Sequence, residues 1–176
     1  MQSTLLIALG IVSFIALIIT ILSILNNRER RKDLQKQLAD FSRIAVENNI
    51  VINRQESFSG RIIGCDADFN AVLFVNFTMQ PNQICFFKLK DITGCSVNIT
   101  ALNEMEEVNG KQRITDQYTE SIDIELIYKK KSENQLKKLG FYKFGNDHQH
   151  DIIELKKSVE AWSEQINKAI VGEMSK

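Results

Sequence analysis

The chain has 176 residues with 22 basic and 22 acidic side chains, so its formal net charge is zero. That balance lacks the basic footprint of a nucleic-acid-binding protein, and nucleic acid is not an expected partner. Setting aside an apolar leading segment and a polar stretch behind it leaves length for one small domain.

The leading segment, Thr4 to Leu25, carries no charged residue. As a helix its 22 residues would extend about 33 Å, the thickness of a bilayer core. A buried core helix would be shorter and would keep a polar face. Met1, Gln2 and Ser3 offer no basic n-region, which argues against a cleaved signal peptide. Arg28, Arg30, Arg31 and Lys32 follow the segment, and the positive-inside bias then places the carboxyl-terminal region in the cytoplasm. The expectation is a single-pass protein of the plasma (inner) membrane with its amino terminus outside. Its transmembrane anchor is residues 1–25, and the lipid bilayer is its first partner. Ser13, Ala16, Thr20 and Ser23 fall along one stripe of this helix, where small residues let two helices approach and a homo-oligomer form.

Residues 26–50 turn polar and helix-favouring, with Leu34, Leu38, Phe41 and Ala45 on one face. This predicts a juxtamembrane amphipathic helix. It is too short for a sustained coiled coil, so its apolar face should lie on the following domain or the membrane surface.

Beyond Ile50 the period changes from helical to alternating. Ile122, Ile124 and Leu126 share one strand face, as do Cys95, Val97, Ile99 and Ala101, while Ala71–Phe77 and Ile84–Leu89 are more continuously apolar. Gly60–Cys65 and Leu139–Phe144 are weaker strand candidates. Turn residues at Asp66–Asn70, Gln80–Asn82 and Thr93–Gly94 suggest an antiparallel meander of six or seven strands. The polar stretch Asn103–Gln117 reads as either a long loop or a mobile excursion on one side of the sheet, and as a candidate contact surface.

A last amphipathic helix, about residues 149–171, carries Ile152, Leu155, Val159, Trp162, Ile166 and Ala169 on one face. Asp151 with Glu154 resembles a capping box, Gly172 suits the stop, and Trp162 is the expected core anchor. In a reducing cytoplasm Cys65, Cys85 and Cys95, each in an apolar run, are expected as buried free thiols. The sequons at Asn76 and Asn98 would stay unused.

A strand-rich region closed by one amphipathic helix with an inward Trp resembles the pleckstrin-homology-like (PH-like) fold. More narrowly, Phe87–Val97 is similar to a strand, short turn and strand of bacterial membrane-anchored PH-like proteins. The resemblance implies an α+β architecture, with residues 51–171 forming an antiparallel β-barrel or sandwich capped by the last helix. In the lipid-binding members of that fold, basic residues near the first two strands hold phosphates. Here that turn reads Asp66-Ala67-Asp68, which would repel them, so specific inositide binding is not expected.

Other chemistry is thin. Asp66-x-Asp68-x-Asn70 opens like a calcium loop but has Ala71 where glycine is needed and Phe77 where a bidentate glutamate belongs. His148 and His150 lack further ligands at a fixed spacing, so no metal is expected. No phosphate-binding glycine loop is present and neither histidine belongs to a recognisable cysteine motif, so no cofactor and no enzymatic activity are expected. Lys129, Lys130, Lys131, Lys137 and Lys138 gather around one turn, where weak attraction to an anionic leaflet is expected. The function expected is a membrane-tethered adaptor recognising a protein partner. The alternative is a structural subunit assembled through the spanning and juxtamembrane helices.

Overall fold

The computed structural model describes residues 2–67, 70–108, 111–130, 133–145, 147 and 152–174, with the side chains of 2–16, 104–108, 111–116, 130 and 173–174 left aside. The chain divides into two compact units, Met1–Asp40 and Phe41–Lys176. One continuous helix, α1, runs from Gln2 to Glu47, so the anticipated spanning and juxtamembrane helices are a single element. Nothing between Leu25 and Arg28 breaks it, because Asn26 and Asn27 are tolerated mid-helix at a cost of tenths of a kcal/mol, roughly. It stops where Asn49 takes a left-handed φ of 57°, which lets the Ile50 N–H reach back to the Ala45 carbonyl at 2.9 Å.

Unit Met1–Asp40 is helix throughout its described length. Among the described residues no helix is long and apolar enough to cross a membrane. The described side chains of the apolar segment begin at Leu17. Ser13 and Ala16 of the small-residue stripe lie outside them, whereas Thr20, Ser23 and the basic group Arg28, Arg30, Arg31 and Lys32 are exposed on α1.

Unit Phe41–Lys176 is α+β. Its strands are β1 (Arg54–Phe58), β2 (Arg61–Cys65), β3 (Ala71–Asn76), β4 (Gln83–Lys88), β5 (Ile92–Val108), β6 (Lys111–Lys130) and β7 (Glu133–Lys143), followed by helix α2 (Ile152–Met174). All pair as antiparallel neighbours in chain order, in a four-stranded sheet β1–β4 and a three-stranded sheet β5–β7. The barrel alternative is thereby corrected: a single 3₁₀ turn, Leu89–Asp91, carries the chain from one sheet to the other, and no described ladder joins the two sheets.

β1 was not anticipated. It is a polar edge strand whose only large apolar residue is Phe58. A two-residue turn joins it to β2, with φ of 42° at Ser59 and 84° at Gly60, the positive pair that matches strand twist in a tight hairpin. The Asp66–Asn70 turn therefore joins β2 to β3, not the first two strands as the resemblance had suggested. Within Asn103–Gln117, residues 103–108 and 111–117 are likewise strand rather than loop. They extend β5 and β6 as a paired ribbon, from Asn103 opposite Gln117 to Val108 opposite Lys111, with a register shift at Glu104/Met105. A polar ribbon satisfies its backbone groups by pairing alone and leaves no apolar period to read.

β2 and β3 are buried along almost their whole length because both faces are covered. Ile63, Cys65, Val72 and Phe74 point inward to a core shared with Ile122, Ile124 and Leu126 of the second sheet. On the outer face, the ring of Phe41 comes within 3.0 Å of where a Cβ on Gly64 would sit, so only glycine admits that approach. The sheets meet through Phe141, whose ring lies 5.3 Å from Phe58 and 5.2 Å from Phe74. Helix α2 adds Val159, Trp162, Ile166 and Ile170 to the same core. It continues through Gly172 to Met174, so that glycine is not a stop; Asp151, its proposed cap, lies outside the described residues.

Candidate functional site

The space between the two sheets has two distinct mouths. The first lies where β2 begins and β3 ends. Arg61 and Asn76 are opposite one another in the ladder and both are buried. A cavity of about 520 Å³ opens beside them, lined also by Ser121, Asp123 and Tyr142 of the second sheet. The Arg61 guanidinium donates two hydrogen bonds to the Asp147 carboxylate, at 2.8 and 2.9 Å. Asp147 Oδ2 also accepts the Lys143 backbone N–H at 2.8 Å. The ion pair is almost wholly out of water, its side chains 6% and 8% exposed. Such a pair is costly to break, because removing one partner leaves a buried charge uncompensated. Arg61 Nε and the Tyr142 hydroxyl are buried with no hydrogen-bond partner among the described residues.

The second mouth lies where β4 ends against the β6–β7 hairpin. A groove of about 570 Å³ is lined by Cys85 and Phe87 on its floor and by Lys88, Lys90, Lys129 and Lys137, with Asp91 the one carboxylate. Phe87 and Tyr128 meet edge to face at 5.4 Å, and the Tyr128 hydroxyl bonds to Gln135 at 3.0 Å. These contacts fix the floor. Of the five lysines read as one cluster, only Lys129 and Lys137 line the groove. Lys138 instead pairs with Glu125 at 2.9 Å, which raises its own pKa and, with the Asn98 amide, lowers that of Glu125. Lys131 and the Lys130 side chain lie outside the described residues. Lys88 and Lys90 had no sequence signal linking them to this group, because β4 and the 3₁₀ turn are far from the hairpin in the chain.

Between the mouths stands Trp162, fully buried. Its indole N–H donates to Glu56 Oε2 at 2.7 Å, and the Arg54 guanidinium lies 4.9 Å over its ring. Arg54 also donates to Gln165. The polar strand β1 thus seats α2, which explains why an edge strand carries Arg54 and Glu56 on its inward face.

All three cysteines are free. Cys65 and Cys85 are buried; Cys95 is only half-buried, with Sγ 3.4 Å from Ser163 Oγ. Burial pushes each thiol upward, Cys65 to about 11, so at neutral pH they stand as poorly nucleophilic thiols. Among the described residues no group of three His, Cys, Asp or Glu could hold a metal ion. His148 and His150 lie outside them, as does Asp68 of the calcium-like turn. Comparison of the chain with known protein families, characterised proteins and solved structures finds no match.

Proposed function

We propose that the chain is a membrane-tethered binding module: a cytoplasmic PH-like domain, held at the inner membrane by α1, that recognises a protein partner. The observation that carries the tether is the exposure of α1. From Leu17 to Leu25 every Leu and Ile is between 40% and 61% exposed. Full burial of each such side chain is worth about 1.5–3 kcal/mol, so leaving the seven in water forgoes roughly 10 kcal/mol that lipid would recover. The uncharged run back to Thr4 and the basic residues from Arg28 to Lys32 agree with a spanning helix whose carboxyl-terminal side is cytoplasmic.

The PH-like reading is supported by four strands, then three, then one helix, with the helix seated by a buried Trp. The binding reading draws on the paired ribbon of β5 and β6 and on the two mouths, since ribbons and sheet edges serve partners by strand addition. Helix-to-helix assembly of several copies would cover the same apolar side chains of α1, and Thr20 and Ser23 stand exposed among them.

Carbonate-washed membranes separate a spanning chain from a peripheral one. The wild type is expected to stay with the membrane, and replacement of Ile18, Ile21, Leu22 and Ile24 by Asn should release it. Proximity labelling from the carboxyl terminus should recover a recurrent partner that disappears when Asn103–Gln117 is replaced by a two-residue turn. In-membrane cross-linking that traps only like-with-like products would favour the assembly reading instead.

A further inference from the structure

We infer that the groove between β4 and the β6–β7 hairpin is an anion site that takes a phosphate-bearing small ligand. Three separate parts of the chain supply its lysines: Lys88 ends β4 and Lys90 lies in the 3₁₀ turn that follows, Lys129 is near the end of β6, and Lys137 stands on β7. Four lysines and one carboxylate, Asp91, line it. Elsewhere in the domain Lys138 pairs with Glu125, Lys156 with Glu160 and Lys168 with Glu164, whereas Lys143 and Lys157 form no ion pair among the described residues. None of the four groove lysines forms an ion pair among the described residues. Like charges gathered in a concave site cost free energy unless a counter-charge enters.

The shape selects among anions. Lys137 is half-buried, whereas Lys88, Lys90 and Lys129 are exposed. A phosphate ester carries about −1.5 to −2 charges and three acceptor oxygens at neutral pH, enough to engage several ammonium groups at once. The volume, about 570 Å³, lies within the range of about 300–1,000 Å³ usual for small-ligand sites. The apolar floor of Phe87 and Cys85 suits the body of such a ligand rather than a bare inorganic ion. This site differs from the turn between the first two strands, where Arg61 is already neutralised by Asp147. It does not depend on a protein partner.

The shared chemistry is a phosphate ester, from a lipid headgroup or from a soluble metabolite. The full chain in non-ionic detergent would be titrated calorimetrically with sn-glycerol 1-phosphate and with pyrophosphate at low salt. Binding should weaken with added salt and fall at least tenfold in the variant carrying Lys88→Gln, Lys90→Gln, Lys129→Gln and Lys137→Gln. Lys137→Glu alone should lower it comparably, and the four Lys→Arg changes should keep it. A control with Lys138→Gln, Lys156→Gln and Lys168→Gln should bind as wild type. Repeating the titration in discs of phosphatidylcholine with and without phosphatidic acid, whose headgroup is a phosphate monoester, distinguishes the sources. A headgroup already in the groove would weaken apparent glycerol phosphate binding in the anionic discs only, whereas a groove reserved for soluble esters would bind equally in both. Absence of binding at millimolar ligand, or an equal loss in the control variant, would overturn the inference.

Discussion

The two mouths of the inter-sheet space differ in how their charges are matched. At the first, a cation is present but spent: Arg61 is locked in a bidentate pair with Asp147 and shielded from water. At the second, the lysines are numerous, largely solvated and unpaired among the described residues. The difference shows that counting basic residues says little about anion binding. What matters is whether the protein has supplied the counter-charge itself.

Substitutions can break this contrast, and the largest effect belongs to the first mouth. Asp147→Ala should destabilise the protein by about 3–5 kcal/mol, read from the denaturant midpoint, because it strands the Arg61 charge in the interior. A change below 1 kcal/mol, roughly, would mean that Arg61 reaches water when freed.

Next comes the core that joins the mouths. The Cys65 thiol is raised by burial from 9.0 to about 11, so the folded state holds that proton more tightly than the unfolded chain. The sign follows: this contribution is fully present below pH 9 and is lost as pH rises through 11. Stability measured at pH 8 and above pH 11 should therefore differ by about 2–3 kcal/mol more in wild type than in Cys65→Val.

Smaller again is Tyr142→Phe, which removes a buried hydroxyl that has no partner among the described residues. The expected result is neutral or stabilising by up to about 1 kcal/mol in thermal unfolding. Last, changing Lys88, Lys90, Lys129 and Lys137 together to Gln should move stability by no more than about 0.5 kcal/mol in either direction while anion binding collapses. A loss of several kcal/mol there would make these lysines structural.

Much of the strand pattern was legible where one face is apolar and the other is not. Ile122, Ile124 and Leu126 alternate because only their face meets the core, and β3 reads as continuous because both its faces are covered. β1 escaped notice because its inward side chains are Arg54, Glu56 and Phe58, chosen to meet Trp162 and Phe141. The ribbon escaped because backbone pairing needs no apolar period. Sites fared worse than strands. Arg61 and Asp147 are 86 positions apart, and only the folding of the β1–β4 sheet, which holds β2, against the β5–β7 sheet, which holds β7, brings them together. Lys129 and Lys137 are neighbours on a hairpin and could be read as a pair, but Lys88 and Lys90 join them only through the turn between sheets.

The Trp162–Glu56 bond has a practical side. Trp162 is the one tryptophan in the chain, so intrinsic fluorescence reports on a single location, the seat of α2 against β1. A blue-shifted emission band marks that helix as docked. A red shift that precedes the loss of sheet signal would reveal α2 lifting from an intact pair of sheets, giving direct optical access to a local opening without any attached dye.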